Sequence, residues 1–263
     1  MAEHRARKRF GQNFLHDSGI IDRLLRTIAA HADQHLLEIG PGQGAITAGL
    51  LATGAQLDAI EIDRDLAAHL QTRFADQPNF HLHVVDALRC DINTLATAPR
   101  SLRIIGNLPY NISTPLIFHL LNYAPLIRDM HVMLQQEVVD RLCAQPGNGD
   151  WGRLSVMVQY HCRVEHLFRV PPEAFSPQPK VTSAIARLVP HDTLPHPAQD
   201  IAVLRRLVTQ AFTQRRKTLR NALKPFFADD WPIASIDPAR RPDTVSVAEF
   251  VALANACPPE SGA

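Results

Sequence analysis

Short apolar runs alternate with helical segments over the first half of the chain. Five of these runs have the length of a buried strand: residues 35–39, 57–62, 80–85, a run that ends at Ile104 and Ile105, and 130–134. Capping signals and the spacing of apolar residues predict helices between them, at about 17–30, 45–51, from 64 onward and at 113–123. Strands that alternate with helices are typical of a mostly parallel sheet with helices on both faces. The pattern therefore predicts a Rossmann-like α/β domain.

Two more strands are predicted beyond the fifth run, at residues 164–170 and 181–188, whereas the apolar run at 154–160 fits either a helix or a strand. The loop between the two strands, residues 171–180, is rich in proline, so it presents Phe175 at a low entropic cost. This region completes the predicted sheet.

A linker at residues 189–197 separates the sheet region from a segment that is helical by pattern to about residue 256. We therefore predict two domains. Residues 1–190 form the α/β domain, and residues 198–263 form a small all-helical domain.

The composition is that of an ordinary globular protein of 263 residues, with 46% hydrophobic residues, 20% charged residues and a formal net charge of +1. The four cysteines include no Cys-x-x-Cys pair, which argues against a zinc site or a disulfide framework and favours a cytoplasmic location. No secretory signal follows the basic start, and no apolar stretch is long enough to cross a membrane. We expect neither a membrane segment nor a metal.

A glycine-rich turn, Gly40-Pro-Gly-Gln-Gly44, connects the first of the five strands to a helix. Glycines at positions 40 and 42 allow the backbone to approach a ligand closely. The pattern Gly40-x-Gly42-x-x-Ala45 fits the fingerprint of a dinucleotide-binding turn. The turn is therefore a candidate cofactor site.

Acidic or amide side chains lie at or near the ends of four successive strands: Glu38, Glu61, Asp86 and Asn107. Open α/β sheets bind ligands at this edge, and Glu61 lies about 20 residues past the turn, where a ribose-binding carboxylate is expected. The arrangement predicts a nucleoside cofactor. Helix capping is the alternative role for Glu61 or Asp86, and support of the glycine turn is the alternative for Glu38.

The surroundings of the glycine turn favour S-adenosylmethionine over a nicotinamide dinucleotide. A pyrophosphate is best held by basic neighbours or a free helix N-terminus. Here Glu38 flanks the turn, which contains no lysine or arginine. A cofactor that carries a sulfonium fits these surroundings better.

The segment Asn107-Leu-Pro-Tyr110, which we call the elbow, combines two hydrogen-bond acceptors with an aromatic ring. Asn107 offers an amide oxygen, and Pro109 restricts Leu108 to an extended conformation that directs its carbonyl. Such a site suits the amino group of a flipped base, which is held by hydrogen bonds and stacking. Phe175 is the candidate for a second stacking ring beside Tyr110, with a place in the core as its alternative. An ordinary strand-to-helix turn is the alternative for the elbow itself.

Positive charge is concentrated in two stretches. The basic start of the chain is either a frayed tail or an arm that folds over a ligand. Residues 201–224 contain seven basic and no acidic residues, which favours contact with a phosphate backbone over a solvated helix face. The candidate residues for contact with a nucleic-acid backbone are Arg7, Lys8, Arg9, Arg215, Arg216, Lys217 and Arg220.

Seven segments, in this order, resemble the ribosomal RNA adenine dimethyltransferase family: Arg7-Lys-Arg-Phe-Gly-Gln-Asn-Phe-Leu15, Leu37-Glu-Ile-Gly-Pro-Gly-Gln-Gly44, Glu61-Ile-Asp63, Asp86-Ala, Asn107-Leu-Pro-Tyr-Asn-Ile-Ser-Thr114, Phe175-Ser-Pro-Gln-Pro-Lys180 and Arg215-Arg-Lys-Thr-Leu-Arg-Asn221. An elbow of this kind occurs in many amino-methyltransferases, whereas the ordered set is specific. The resemblance extends from about Arg7 to Ala256, with Ile46 as a small departure where relatives often carry leucine.

The resemblance implies a class I methyltransferase domain that transfers methyl groups from S-adenosylmethionine to the exocyclic amines of two adjacent adenosines. These adenosines lie in a hairpin near the 3′ end of small-subunit (16S) rRNA, and each receives two methyl groups. The resemblance also implies that the protein is a late assembly factor of the small subunit. The expected partner is therefore rRNA within an immature 30S particle.

The residues that the family implies for the cofactor are Asn13, Leu15, Gly40, Glu61, Asp86 and Asn107, and Gly42 of the glycine turn completes the candidate set. Within this set, Glu61 would hold the ribose hydroxyls and Asp86 the adenine amine of the cofactor. The residues implied at the target base are Asn107, Leu108, Tyr110 and Phe175, and Pro109 joins them because it directs the Leu108 carbonyl.

Three rival functions follow from the same motifs. A methyltransferase for a large-subunit rRNA adenine shares the catalytic segments and differs in the tail and in the Phe175 loop. A non-enzymatic RNA-binding assembly factor is disfavoured by the intact elbow. A nicotinamide dehydrogenase is disfavoured because no histidine or lysine lies in a recognisable catalytic position at the strand ends.

We expect the protein to be a monomer.

Overall fold

The computed structural model describes residues 12–227 and 231–257, and the chain forms two compact units. The first unit comprises the chain up to Val139 together with Val164–Pro190, and the second comprises Asp140–Arg163 together with the residues from His191 onward. The predicted division between residues 190 and 198 stays a prediction. The compact units differ from it, because Asp140–Arg163 groups with the C-terminal segment.

A seven-stranded sheet forms the centre of the first unit. Its strands are β2 (His35–Ile39), β3 (Gln56–Ile60), β4 (Phe80–His83), β5 (Leu102–Asn107), β6 (Ile127–Gln135), β7 (Cys162–Val170) and β9 (Ser183–Pro190). Their order in the sheet is β4-β3-β2-β5-β6-β9-β7. The pairs from β4 to β6 are parallel, and β9 pairs with β6 in the antiparallel sense. A separate two-stranded ribbon joins β1 (Phe14–Leu15) to β8 (Phe175–Ser176).

Ten helices accompany these strands in the described residues. They are α1 (Ser18–Ile28), α2 (Thr47–Leu51), α3 (Arg64–Arg73), α4 (Ser113–Leu121), α5 (Gln136–Cys143), α6 (Arg153–His161), α7 (Ile201–Thr213), α8 (Leu219–Ala222), α9 (Lys224–Phe227) and α10 (Val247–Asn255). The predicted α/β fold, with a mostly parallel sheet and C-terminal helices, is confirmed. No helix within the described residues has the length and apolar character needed to cross a membrane.

Two helices of the first unit begin at aspartates whose side chains cap them. Asp17 accepts a hydrogen bond from the backbone N–H of Ile20 at 2.9 Å and begins α1. Asp63 accepts from the backbone N–H of Asp65 at 3.0 Å and begins α3. The central strand β2 is buried along its whole length, as expected for a strand that is covered on both faces. These elements bring the glycine turn and the elbow to the same edge of the sheet.

The structure settles one open alternative and corrects one expectation. Residues 154–160 lie in a helix, α6, rather than in a strand. The helix expected over residues 201–224 is interrupted, because α7 ends at Thr213 and the backbone N–H of Lys217 closes a turn onto the carbonyl of Gln214 at 2.8 Å. The physical reason is that residues 214–218 offer no apolar side chain to bury, whereas Leu219 is fully buried and restarts the helix.

Candidate active site

A cavity of about 190 Å³ opens in the first unit at the carboxyl ends of β2, β3 and β5. Every residue predicted for the cofactor lines it: Asn13, Leu15, Gly40, Gly42, Glu61, Asp86 and Asn107. Leu108, Pro109 and Tyr110 of the elbow line the same cavity. The fold therefore brings residues from distant parts of the sequence to one place.

The glycine turn forms the part of the wall that follows β2. Gly40 and Gly42 have φ angles of +69° and +58°, a region that favours glycine. A β-carbon at Gly42 would also lie 3.1 Å from the ring of Phe14, which is closer than the ring can accept without moving. The turn thus requires glycine at position 42 for both its backbone conformation and its packing.

Glu61 lies just beyond β3 and is held by two backbone N–H groups. Its Oε1 accepts from Asp63 at 2.9 Å and its Oε2 accepts from Gly42 at 3.3 Å. Burial raises the pKa of this carboxyl, although these hydrogen bonds oppose the increase. Asp63, rather than Glu61, caps α3, so the capping alternative for Glu61 is wrong. A carboxylate has about four acceptor sites, so Glu61 can also accept from a ligand hydroxyl.

Asp86 is half-buried and lies three residues beyond the end of β4. Its Oδ1 accepts from the backbone N–H of Leu88 at 3.0 Å, so it stabilises a local turn and also lines the cavity. No helix begins at Asp86, because residues 87–89 form a turn and Asp91 caps the following 3-10 helix, so the capping alternative for Asp86 is wrong.

Glu38 is the most deeply buried acidic group at the cavity, with 2% of its surface exposed. Burial raises its pKa to about 7, against the opposing effect of a hydrogen bond from Thr47 Oγ1 to Glu38 Oε2 at 2.7 Å. Because Thr47 is the first residue of α2, this bond ties the end of β2 to the helix after the glycine turn. The contact fits the supporting role that the sequence offered for Glu38.

An arm formed by residues 12–16 lies against the cavity. Phe14–Leu15 pairs with Phe175–Ser176, and the backbone N–H of His16 donates to the carbonyl of Ala174 at 2.9 Å. Gln12 Nε2 donates to Asp63 Oδ2 at 3.1 Å. This part of the chain is therefore an arm and not a frayed tail, whereas Arg7, Lys8 and Arg9 lie outside the described residues.

The arm also orients the elbow. Asn107 Nδ2 donates to the backbone carbonyl of Asn13 at 3.0 Å. A carbonyl accepts hydrogen bonds and cannot donate them, so this contact requires the amide nitrogen on the arm side and leaves Oδ1 as the acceptor for a ligand. The backbone N–H of Leu108 donates to the carbonyl of Met133 at 3.1 Å, which fixes the elbow to β6.

Tyr110 is half-buried, and its hydroxyl lies 2.6 Å from Ser183 Oγ. Burial raises the pKa of the phenol, and the hydrogen bond with Ser183 partly offsets the increase. The ring is therefore neutral near pH 7 and presents a partly exposed face to the cavity. The elbow connects β5 to α4 and also lines the cavity, and its role in binding a base stays a prediction.

Phe175 does not fulfil the stacking expectation in this structure. Its side chain is 3% exposed and belongs to the hydrophobic core of the first unit, where it pairs in register with Leu15. It does not line the cavity. The reason is the β1–β8 pairing, which carries the loop residue under the arm. A role for Phe175 at the target base stays a prediction that requires the ring to leave the core.

The charge of the cavity fits a cationic methyl donor. Three carboxyl groups line it, those of Glu38, Glu61 and Asp86, and no lysine or arginine of the described chain does so. A pyrophosphate would be repelled by this set, whereas a sulfonium is attracted. Among the described residues, no group of histidine, cysteine, aspartate and glutamate side chains is arranged to hold a metal ion.

Four of the basic residues predicted for RNA lie in the second unit, on the turn between α7 and α8 and at the start of α8. Arg216, Lys217 and Arg220 are exposed. Arg215 is half-buried, donates to the carbonyl of Gly149 at 2.5 Å and lies 3.8 Å from Asp243. Arg215 therefore stabilises its own unit in addition to carrying charge.

Three supporting residues escaped the sequence analysis, namely Gln12, Thr47 and Ser183. Thr47 donates to Glu38, Ser183 bonds with Tyr110, and Gln12 donates to Asp63, the cap of α3. Only Gln12 offered a signal, because it lies inside a segment that carries the family resemblance, Arg7-Lys-Arg-Phe-Gly-Gln-Asn-Phe-Leu15. Ser183 and Thr47 are ordinary polar residues at the beginnings of a strand and a helix.

Comparison with known proteins agrees with this geometry. The family model described as ribosomal RNA adenine dimethylase matches residues 3–257. A protein of Pseudomonas syringae pv. tomato called ribosomal RNA small subunit methyltransferase A is 65% identical over 96% of this chain and 95% of its own length. A protein of the same name from Pseudomonas aeruginosa is 61% identical over 96% of this chain and 95% of its own length.

Solved structures show the same fold. A dimethyladenosine transferase from Plasmodium falciparum superposes with a TM-score of 0.76 at 24% identity, covering 91% of this chain and 95% of its own. The 23S rRNA methyltransferase ErmE superposes with a TM-score of 0.72 at 25% identity, covering 93% of this chain and 99% of its own. Because the family model matches residues 3–257, nearly the whole length of the chain, the chain belongs to the ribosomal RNA adenine dimethylase family.

Proposed function

We propose that this protein transfers methyl groups from S-adenosylmethionine to the exocyclic amines of two adjacent adenosines near the 3′ end of small-subunit (16S) rRNA and dimethylates each. The observation that carries this proposal is the oriented amide of Asn107, which presents Oδ1 beside a cavity rich in carboxyl groups. Relatives that are 61% and 65% identical and bear the name of a small-subunit methyltransferase support the choice of substrate.

Residues of the cavity would hold S-adenosylmethionine at both ends of its nucleoside. Glu61, fixed by the N–H groups of Gly42 and Asp63, would accept from the ribose hydroxyls. Asp86 would accept from the adenine amine. When bound, the cofactor supplies a methyl group made electrophilic by a positively charged sulfur. The carboxyl groups of the cavity favour that positive charge.

The elbow would bind and orient the amine of the target adenine. That amine is a weak nucleophile because its lone pair is delocalised into the ring. Asn107 Oδ1 and the Leu108 carbonyl would each accept one N–H, which favours a tetrahedral nitrogen with its lone pair free to react. Tyr110 would stack on the flipped base, and such stacking contributes about 1–3 kcal/mol against the cost of flipping.

The exposed basic residues of the second unit, Arg216, Lys217 and Arg220, would contact the phosphate backbone of rRNA. Arg215 contributes charge while supporting its unit, and Arg7, Lys8 and Arg9 are assigned to RNA from the sequence. The partner is rRNA within an immature 30S particle, for which the protein serves as a late assembly factor. We expect a monomer in the cytoplasm.

The test is transfer of labelled methyl groups from S-adenosylmethionine to unmethylated 30S particles, followed by mapping of the labelled nucleotides. The proposal predicts two adjacent dimethylated adenosines near the 3′ end of the small-subunit rRNA. Label that enters only large-subunit rRNA would overturn the substrate and favour the function named for ErmE. Tight binding to 30S particles without cofactor binding or label would instead support a non-enzymatic assembly factor.

A further inference from the structure

Ser183 is the first residue of β9 and is completely buried, yet it carries a polar group. Its Oγ lies 2.6 Å from the hydroxyl of Tyr110, which is a short hydrogen bond between two residues 73 positions apart. A buried hydroxyl without a partner is costly, so the hydroxyl of Tyr110 gives Ser183 the partner that its burial requires. The contact links the sheet directly to the elbow.

The elbow is thereby held at two levels by the same pair of strands. At its backbone, the N–H of Leu108 donates to the carbonyl of Met133 in β6 at 3.1 Å. At the far end of the Tyr110 ring, the hydroxyl meets Ser183 in β9. The two strands are paired in register through Met133 with Ile185 and Gln135 with Ser183, so both anchors belong to one rigid ladder.

Fixing the ring at its para position restricts rotation of the Tyr110 side chain about both of its χ angles. Tyr110 is half-buried and lines the cavity, so a base that enters the cavity can reach this residue. A base that stacks on a ring of fixed plane meets the acceptors of Asn107 and Leu108 in a fixed direction, whereas a rotating ring would spread the base over several poses. The plane of the ring therefore matters for the reaction as well as for binding.

We propose that Ser183 is a positioning residue for the methyl transfer, because its hydroxyl fixes the plane of the Tyr110 ring against which the target adenine stacks. This inference rests on the proposed function and extends it to a residue that touches neither the base nor the cofactor. Ser183 acts through Tyr110, so removing either hydroxyl has the same consequence.

The test is a double-mutant cycle with Ser183→Ala, Tyr110→Phe and the double variant, assayed with 30S particles under saturating cofactor. Each single variant is expected to lower kcat about tenfold, in line with the loss of one hydrogen bond of ordinary strength. The double variant is expected to show the same loss as each single variant, because one contact has been removed in all three. The Kd of S-adenosylmethionine is expected to stay within about twofold of wild type.

Thermal unfolding separates positioning from a merely structural role. Ser183→Ala leaves the Tyr110 hydroxyl without its partner and lowers Tm, whereas the double variant removes both polar groups and regains much of the stability. Positioning predicts that kcat stays low in the double variant although Tm recovers. If Ser183→Ala does not fold, the comparison of Tyr110→Phe with the double variant carries the test: kcat equal in the two supports the proposal, and a further loss in the double variant overturns it.

Ser155→Ala is the matched control. Ser155 is also fully buried and hydrogen-bonded, to the carbonyl of Arg141 at 2.5 Å, but it lies in α6 of the second unit. It is expected to lower Tm without lowering kcat. A wild-type kcat in Ser183→Ala, or losses that multiply in the double variant, would overturn the role of Ser183. A wild-type protein that methylates no rRNA would overturn the proposed function itself, so the two failures are distinguishable.

Discussion

Asn107 Nδ2 and the backbone carbonyl of Asn13 form a hydrogen bond of 3.0 Å between residues 94 positions apart. The arm that lies against the cavity is thus also the group that orients the amide of the elbow. The position of the arm and the orientation of the Asn107 amide are therefore coupled. Without the arm against the cavity, the amide would lose the hydrogen bond that orients it.

Replacing Asn107 with alanine removes one of the two acceptors for the target amine. We expect kcat to fall by a factor that corresponds to about 3 kcal/mol, by analogy with the removal of one oxyanion-hole donor. The measurement is single-turnover methylation of 30S particles. Transfer of the second methyl group should be less affected than the first, because a monomethylated amine has only one N–H to donate.

The matched control is Asn122→Ala, since Asn122 is exposed at the end of α4. This variant is expected to methylate at the wild-type rate. Wild-type single-turnover rates in Asn107→Ala would remove Asn107 from the chemistry.

Glu61→Gln is expected to weaken cofactor binding. Both carboxylate oxygens accept from backbone N–H groups, and a glutamine must turn an NH₂ group toward one of them. Loss of a hydrogen bond to a charged group costs about 1.5–3 kcal/mol, so calorimetry should show a Kd for S-adenosylmethionine raised about 10- to 100-fold. Affinity for 30S particles should not change. An unaltered Kd for the cofactor would argue that Glu61 serves only to hold the turn.

Glu38 makes the stability of the cofactor-free protein depend on pH. Its pKa in the folded state is about 7, above the ordinary value of 4.5, so the folded state binds the proton more tightly than the unfolded state. The contribution to stability is therefore lost as the pH rises from about 4.5 to about 7 and remains lost above that. Each unit of difference between the pKa of Glu38 in the folded and unfolded states changes the free energy of unfolding by about 1.36 kcal/mol.

Glu38→Gln removes this titration and retains an acceptor for Thr47. The variant should be about as stable as wild type near pH 4 and more stable by about 3 kcal/mol at pH 8. Urea unfolding at several pH values measures the difference. Asp76→Asn, a change at an exposed carboxyl group, is the control and should show no such trend. A constant difference between Glu38→Gln and wild type across this range would contradict the raised pKa.

Arg216 and Arg220 are expected to contribute to RNA affinity through phosphate contacts. Replacing both with glutamine should reduce the slope of the plot of the log of the binding constant against the log of the salt concentration. The expected reduction is about 0.7–0.9 for each lost phosphate contact. The measurement is binding to 30S particles at several salt concentrations. Arg26→Gln, which removes an exposed positive charge from α1, is the control. A slope equal to that of wild type would indicate that Arg216 and Arg220 lie on a solvated surface and do not contact RNA.

Much of the fold is determined locally by the sequence. The cap at Asp17, the glycine turn at residues 40–44 and the apolar runs of the central strands each specify their element within a few residues, because capping, backbone conformation and burial act at short range. The strand order places Glu61 and Asn107 at one edge, because parallel strands expose their carboxyl ends together. The ordered motifs also determined the family.

The tertiary structure decided which groups meet across long distances in sequence. It placed Phe175 in the core through the pairing of β8 with β1, ended the basic helix at Thr213, and joined Ser183 to Tyr110. The pairing of Phe175 and the contact of Ser183 do not follow from a local pattern, since a side chain can be an acceptor, a core residue or an anchor depending on the strand that folds against it. The sequence determined the chemistry available at the cavity, and packing decided how that chemistry is oriented.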